Sequence, residues 1–392
     1  MTLTLGYCTN VHAGGTLNET LASLEKHACA VRAIVAPRGL LPIGLWLSAS
    51  AAQEVTDDPD GAKRLREWLL ERGLVVFTMN GFPYHNFHAG LGKKRVYEPH
   101  WADVRRALYT MQLADILVQL LPDAATAPHL AEEGSISTLP LGWRESFTQQ
   151  SSGASIGMAA TQIEQVARHL RAIEDRTGVC IHLDIEPEPG CMFDRAQHLV
   201  DFLGQCVKPS PALPDPSRHI RACHDICHSA VMFEPQREAL ETYRKGGVRI
   251  GKVQVSSAIE CDGSEAGFRM LRNFDEPKFL HQTMVLDGRG TVQPFDDLGD
   301  AFDHAPDGTW RSHFHVPIDL DELGPLRTTQ REIDSFLAAM TPDDGIRHME
   351  VETYAWNALP MDFRRDSLAR GIADELLWIR ERLARRGTTL AC

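Results

Sequence analysis

At 392 residues the chain is longer than one average domain, yet it fits a single closed α/β barrel, a class that runs from about 250 to over 400 residues with insertions. A composition 43% hydrophobic and 24% charged, with no apolar run near ~18 residues, excludes a membrane-spanning helix, and the opening Met-Thr-Leu-Thr-Leu-Gly-Tyr lacks the basic-then-apolar pattern of an export signal. A formal charge of −13 argues against nucleic acid or an anionic membrane as partner, since both require a basic face.

The expected compartment is therefore the cytoplasm, and nine cysteines without paired spacing fit reduced thiols there. Cys223 and Cys227 straddle His224, but no second Cys/His pair at fitting distance completes a structural zinc motif.

In chain order, short apolar strands alternate with longer helical patterns. Residues 3–9 alternate as a strand that ends at Asn10 and His12, and residues 17–35 carry apolar side chains at helical spacing behind a cap at Thr16 or Asn18. A second strand is read over 42–48 and a helix over 58–72, closed by Gly73. Residues 74–80 form a near-continuous apolar run, the pattern of a parallel strand covered on both faces. Its exit, 81–95, holds aromatics, His85, His88 and three basic residues, and reads either as a lid with an anion contact or as a solvated basic loop.

A helix over 101–121 precedes a fourth strand with its exit loop at 136–143, and a long amphipathic helix over 156–176 leads into the fifth strand at 179–186. There, a period of two places Asp184 and Glu186 on one face, and Pro187 and Pro189 stop the strand. A helix over 194–207, a sixth strand over 218–225, a helix over 235–246 and a seventh strand over 248–256 follow.

Between 258 and 311 the alternation breaks. Residues 280–286 and 291–295, joined by Asp-Gly-Arg-Gly, read as a β-hairpin, and 312–318 as an apolar run with His313 and His315 at strand spacing. We treat 258–311 as an insertion within a single domain of 1–392. The last strand is read over 346–353 and a terminal helix over 364–386. Eight strands alternating with helices predict a (β/α)₈ barrel; an open doubly wound sheet would want a glycine fingerprint that Gly14-Gly15 alone does not supply.

The polar residues at the strand ends then collect on one rim. Strand five gives Glu186, strand six Asp225, strand seven Gln254, and strand eight both Glu350 and Glu352, of which Glu352 is nearer the C-terminal rim and Glu350 one layer deeper. Three carboxylates and an amide in a partly desolvated cleft are unfavourable without a cation. An oxygen-rich ligand set favours one divalent metal ion, Mn²⁺ or Mg²⁺, with Co²⁺ and Zn²⁺ admissible. For any single acid, a salt bridge to a barrel Arg or Lys is the competing role.

The order Glu on strand five, Asp-x-x-His on strand six, Gln on strand seven and Glu on strand eight resembles the xylose isomerase-like TIM-barrel superfamily of sugar isomerases and epimerases, the Glu/Asp/Gln/Glu version being typical of the hydroxypyruvate isomerase type. Within it, the segments at 77–84, 135–142, 252–258 and 350–360 look closest to the EboE-type metabolite traffic proteins. The resemblance implies that Glu186, Asp225, Gln254 and Glu352 hold the metal and that His228 faces the substrate. The chain departs from the small isomerases in its length, its insertion and its Ser256-Ser257 pair, which leaves the substrate open.

From that ligand set the expected activity is isomerisation or epimerisation of a small polar sugar-like substrate, with Glu186 and Glu352 moving a proton through a metal-stabilised enediolate. His228, His88, His12 and Asn80 are the candidate substrate contacts. Two alternatives stand beside it. His313-x-His315 is a good metal pair in hydrolase barrels and would suit a zinc-dependent phosphoesterase, and a non-catalytic protein that binds and transfers a metabolite would keep the same ligands. Homo-oligomerisation is left open.

Overall fold

The eight barrel strands are parallel and neighbour one another in chain order: β1 (Thr2–Cys8), β2 (Leu41–Leu45), β3 (Leu74–Asn80), β4 (Glu133–Thr138), β5 (Cys180–Ile185), β6 (Ile220–Asp225) and β7 (Ile250–Val255). After an inserted sheet made of β8 (Ile259–Cys261), β9 (Thr283–Asp287), β10 (Val292–Phe295), β11 (Gly308–Ser312), β12 (Glu322–Leu323) and β13 (Leu326–Thr328), the chain returns as β14 (His348–Val351). That strand pairs with β7 on one side and β1 on the other and so closes the barrel. The expected (β/α)₈ fold is what the computed structural model shows; it describes residues 2–86, 93–148, 153–275, 279–305, 307–357, 359 and 361–391. A short β15 (Thr389–Ala391) adds to the start of β1.

The helices form where apolar residues recur at helical spacing and a polar side chain closes the first turn. Asp103 caps Val104–Leu120 by accepting from the backbone N–H of Arg105, and Ser155 caps Ile156–Thr177 by accepting from Met158. Gly178, at φ +76°, ends the latter in a left-handed turn that favours glycine. The single helix expected over 17–35 is continuous but carries a π-helical turn at Leu24–Ala28. Six α-helices among the described residues are not expected from the sequence, Ala49–Thr56, Arg144–Thr148, Ile226–Val231, Glu265–Leu271, Leu298–His304 and Gln330–Ala339; all are short, so few turns of apolar periodicity mark them.

The barrel interior is polar on its lower floor. Glu133 on β4 accepts from Arg221 (2.6 Å) and Arg347 (2.9 Å), His182 bonds Asp184 (2.6 Å), and Lys252 on β7 is ion-paired with Glu350 on β14, both fully buried. Apolar residues pointing the other way from each strand, such as Leu183, Ile185, Val253 and Val255, pack under the helices.

The hairpin expected in the insertion is β9–β10, and it belongs to an antiparallel six-stranded sheet in the order β10-β9-β11-β8-β13-β12 that runs past residue 311 to Thr328. Ile259, Val285, Trp310, Phe314 and Leu323 form its apolar layer together with Ala355, Trp356 and Leu359, which follow β14. Shared packing of this kind seats the sheet on the C-terminal rim of the barrel. The segment 313–318 is not a strand of that sheet: His313 N–H bonds Gln282 O, Val316 N–H bonds Ser257 O, and Ala355 N–H bonds His315 O, so it bridges insertion and barrel.

Candidate functional site

Asp225 is the last residue of β6, Glu186 and Glu352 stand one residue past the ends of β5 and β14, and Gln254 is the penultimate residue of β7. Alternate residues of a strand share a face, so these four side chains fall on the interior face near the C-terminal ends of their strands, Asp225 level with Gln254 and Glu352 two residues above that level. Carboxylate oxygens of Glu186, Asp225 and Glu352 lie within 4.8 Å of one another, and all three residues are buried. Gln254 sits opposite Asp225 in the β6–β7 ladder and opposite Glu350 in the β7–β14 ladder, fully buried, with neither amide atom hydrogen-bonded. Glu350 lies below Glu352, level with Gln254, and is neutralised by Lys252.

Two of the three acids, Asp225 and Glu352, are held by hydrogen bonds from outside the cluster. Asp225 Oδ1 accepts from the His228 backbone N–H (2.9 Å) and from Ser256 Oγ (2.7 Å), while its Oδ2 has no partner. Glu352 Oε1 accepts from Asn10 Nδ2 (2.6 Å) and Asn80 Nδ2 (3.1 Å). Burial, and then the charges of Glu352 and Asp225, push the Glu186 carboxyl well above its ordinary range. Burial, then Asp225 and Glu350, push Glu352 up to about 8. Burial opposes ionisation of Asp225, but the facing imidazoles of His228 and His315 and the bonds to His228 N–H and Ser256 outweigh it and hold its carboxyl low.

Such a set fits a divalent cation. Three hard oxygen donors converge without a cationic side chain among them, Asp225 Oδ2 is orphaned, and a buried amide with no partner stands beside it, which is costly unless an ion or ligand compensates.

Three histidines flank the acids. His228 Nδ1 bonds Pro187 O (3.0 Å), His315 Nδ1 bonds Glu352 O (2.9 Å), and His313 Nδ1 bonds Gln282 Oε1 (2.7 Å). Gln282 also donates to Tyr97 Oη (2.8 Å), Glu188 Oε1 (3.1 Å) and Pro189 O (3.0 Å), so its amide orientation is set. Burial pushes His315 down to about 4 and His313 well below its ordinary value. A cavity of about 330 Å³ opens above, with Glu186, His228, His313, His315 and Glu352 on its floor side and Phe82, Tyr97, Phe279 and Tyr354 among its walls.

Of the residues expected from sequence, Glu186, Asp225 and Glu352 converge, and His228 and Asn80 line the cavity. Asn80 does so as a donor to Glu352. His12 does not reach the cavity: its ring is bonded to Tyr7 Oη (3.0 Å) and Ser23 Oγ (2.9 Å) because the 3₁₀ turn Thr9–His12 carries it toward the following helix. His88 lies outside the described residues. The lysines of the basic exit loop, an anion contact by one reading of the sequence, are committed to acids, Lys93 to Asp297 and Lys94 to Asp296 (2.9 Å) and Glu145 (3.2 Å). Sequence patterning does not single out Asn10, Glu188 or Gln282 as part of the site. Asn10 carries a signal in its place at the exit of the first strand, whereas Gln282 has no local signal.

No protein-family model matches the chain, and no curated protein matches it. Among solved structures, a xylose isomerase-like TIM barrel protein from Mycobacterium smegmatis in complex with magnesium matches at a TM-score of 0.50 and 11% identity, over 98% of this chain and 97% of that one. A D-tagatose 3-epimerase-like protein matches at 0.46 and 12% over 97% of this chain and 100% of that one. The apo 3-keto-D-glucoside 4-epimerase of E. coli matches at 0.45 and 11% over 97% and 100%. At these identities the likeness is one of fold: the chain is a (β/α)₈ barrel, as is the magnesium-bound protein it matches.

Proposed function

We propose that the protein is a divalent-cation-dependent isomerase or epimerase of a small, polar, sugar-like hydroxy-carbonyl compound. The observation that carries this reading is the convergence of Glu186, Asp225 and Glu352 at the foot of one cavity, where burial and their neighbours' charges raise both glutamates above their ordinary range. Glu186, Asp225, Gln254 and Glu352 would hold the cation, and Mn²⁺ or Mg²⁺ suits their oxygen donors. When bound, it supplies Lewis-acid polarisation of a carbonyl and its neighbouring hydroxyl.

The chain's own residues do the rest. One of Glu186 and Glu352 takes the proton from the carbon beside the carbonyl and the other returns it; return to the adjacent carbon isomerises, return to the opposite face epimerises. Asn10 and Asn80 keep Glu352 turned to the cavity, and His228 and Tyr354 stand where substrate hydroxyls would meet them. Phe82, Phe279 and Tyr354 narrow the space open to water. The finer resemblance to the EboE-type proteins rests on the sequence segments alone.

The test is deuterium wash-in from D₂O into small ketoses, aldoses and hydroxy-ketoacids by the Mn²⁺-loaded protein, read by NMR. Exchange that is lost in Glu352→Gln, with thermal unfolding unchanged, supports the proposal. Full exchange in that variant overturns the assignment, and bound metal with no exchange on any candidate points to binding and transfer instead.

A further inference from the structure

We propose that the substrate carries an anionic oxygen group, a carboxylate or a phosphate, at the end remote from its carbonyl, and that Arg95 binds that group at the cavity rim. The inference deepens the reaction proposed above, on which it rests for the end that reacts, by fixing the charge of the molecule.

Three consecutive cations, Lys93, Lys94 and Arg95, stand in the 3₁₀ turn Lys93–Tyr97 that follows β3. Lys93 is ion-paired with Asp297, and Lys94 with Asp296 (2.9 Å) and Glu145 (3.2 Å), its ammonium 4.7 Å from the centroid of the Trp143 ring. Both lysines therefore serve to tie the turn to the insertion. Arg95 does not: it is exposed, it lines the cavity, and among the described residues no carboxylate pairs with it. The nearest acid in sequence, Glu98, is three residues on, where side chains of a 3₁₀ turn eclipse. Yet its carboxylate accepts from the His100 N–H (3.3 Å) instead.

A second guanidinium stands behind the same side of the cavity. Arg106 is fully buried, with Nε on Pro99 O (2.8 Å), Nη1 on Gly81 O (2.8 Å) and Phe82 O (2.9 Å), and Nη2 without a partner. Burial pulls it down to about 10, so it stays cationic at neutral pH although its bonds all go to carbonyl oxygens. His85, also on the cavity wall, registers both cations: after burial, the charges of Arg95, Arg105 and Arg106 hold its imidazole below the ordinary value. Of those three, Arg105 is neutralised by Asp103 (3.0 and 3.1 Å).

The cavity is thus polarised from end to end. Its floor holds Glu186, Glu188 and Glu352, which repel a second anion, whereas the side next to the β3 exit carries uncompensated positive charge. The side chains of Phe82, Val96, Phe279 and Leu280 on its walls offer an anion no donor. Arg95 supplies the planar fork that takes a carboxylate or a phosphate in two parallel bonds. At about 330 Å³ the cavity is at the small end of ligand pockets, which run from ~300 to ~1,000 Å³, so one small molecule spans it from the acid cluster to Arg95. A chain of formal charge −13 repels an anion at long range, and a local positive rim offsets that repulsion where the ligand enters.

The test is calorimetric titration of the Mn²⁺-loaded, full-length protein with D-fructose, D-fructose 6-phosphate and D-fructuronate, one keto-sugar unit with a neutral, a phosphate and a carboxylate end. At least one anionic member should bind about 10- to 100-fold more tightly than D-fructose, and which of them does so tells phosphate from carboxylate. Arg95→Gln should erase that preference and leave the affinity for D-fructose unchanged, while Arg95→Lys should keep part of it. Lys94→Gln, whose ammonium is already paired outside the cavity, should keep all of it. Because Arg95 is exposed and unpaired, its variants should melt with the wild type, so the loss reads as binding. No anion preference in the wild type, or one that survives Arg95→Gln because the anion sits on the metal, would overturn the proposal. An Arg95-dependent preference without deuterium wash-in strikes the reaction and leaves this site; wash-in without such a preference strikes this site and leaves the reaction.

Discussion

Asn10 Nδ2 donates to Glu352 Oε1 at 2.6 Å across the seam where the first barrel strand meets the last. One oxygen of Glu352 is thereby occupied, with Asn80 as second donor, and the other is left to the cluster. Asn10→Ala should cost about 10- to 100-fold in Mn²⁺ affinity, the usual loss when an outer hydrogen bond to a ligand is removed. Calorimetric titration checks it; unchanged affinity would show that Glu352 needs no such support.

Lys252 is a fully buried ammonium ion-paired with fully buried Glu350, with Ser137 Oγ at 3.1 Å as a further contact. Lys252→Met strands the carboxylate and should destabilise the protein by about 3–5 kcal/mol in denaturant unfolding. Adding Glu350→Gln should restore most of that loss, because the cost lies in the uncompensated charge rather than in a missing contact.

Glu375 is buried on the terminal helix, accepts from Ile318 N–H (3.0 Å) and Thr353 Oγ1 (2.6 Å), and is pushed up to about 8, chiefly by burial. Its folded value exceeds the unfolded one of ~4.3. Its contribution is therefore complete below pH ~4 and drains away as pH rises through about 8. Glu375→Gln cannot ionise, so its melting temperature relative to wild type should climb between pH 5 and pH 9. A difference flat across that range would refute the assignment.

Gly44 on β2 leaves room for the Glu350 carboxylate, which a methyl group at that position would strike. Gly44→Ala should cost about 1–3 kcal/mol by overpacking. Gly39→Ala, where the nearest atom to a new Cβ is 3.9 Å away, is the control and should be near neutral in the same thermal melts.

Period-two alternation and helical spacing are local, so the eight strands, most helices and the rim acids Glu186, Asp225 and Glu352 are legible in the amino-acid sequence by itself. The same alternation sorts Glu350 from Glu352, a distinction the ladder of β14 against β7 repeats. What only tertiary structure decided is where residues outside that alternation point. His313 and His315 stand out in the sequence as a pair, but their approach to Asp225 depends on a six-stranded sheet that shares Trp356 and Leu359 with the barrel. Gln282 carries no periodicity that would announce it, yet it orients His313. His12, which sequence places beside the site, is turned away by a single 3₁₀ turn. Strand alternation is set by each residue and its neighbours, whereas the meeting of side chains far apart in the chain is set by packing, which spacing along the sequence does not encode.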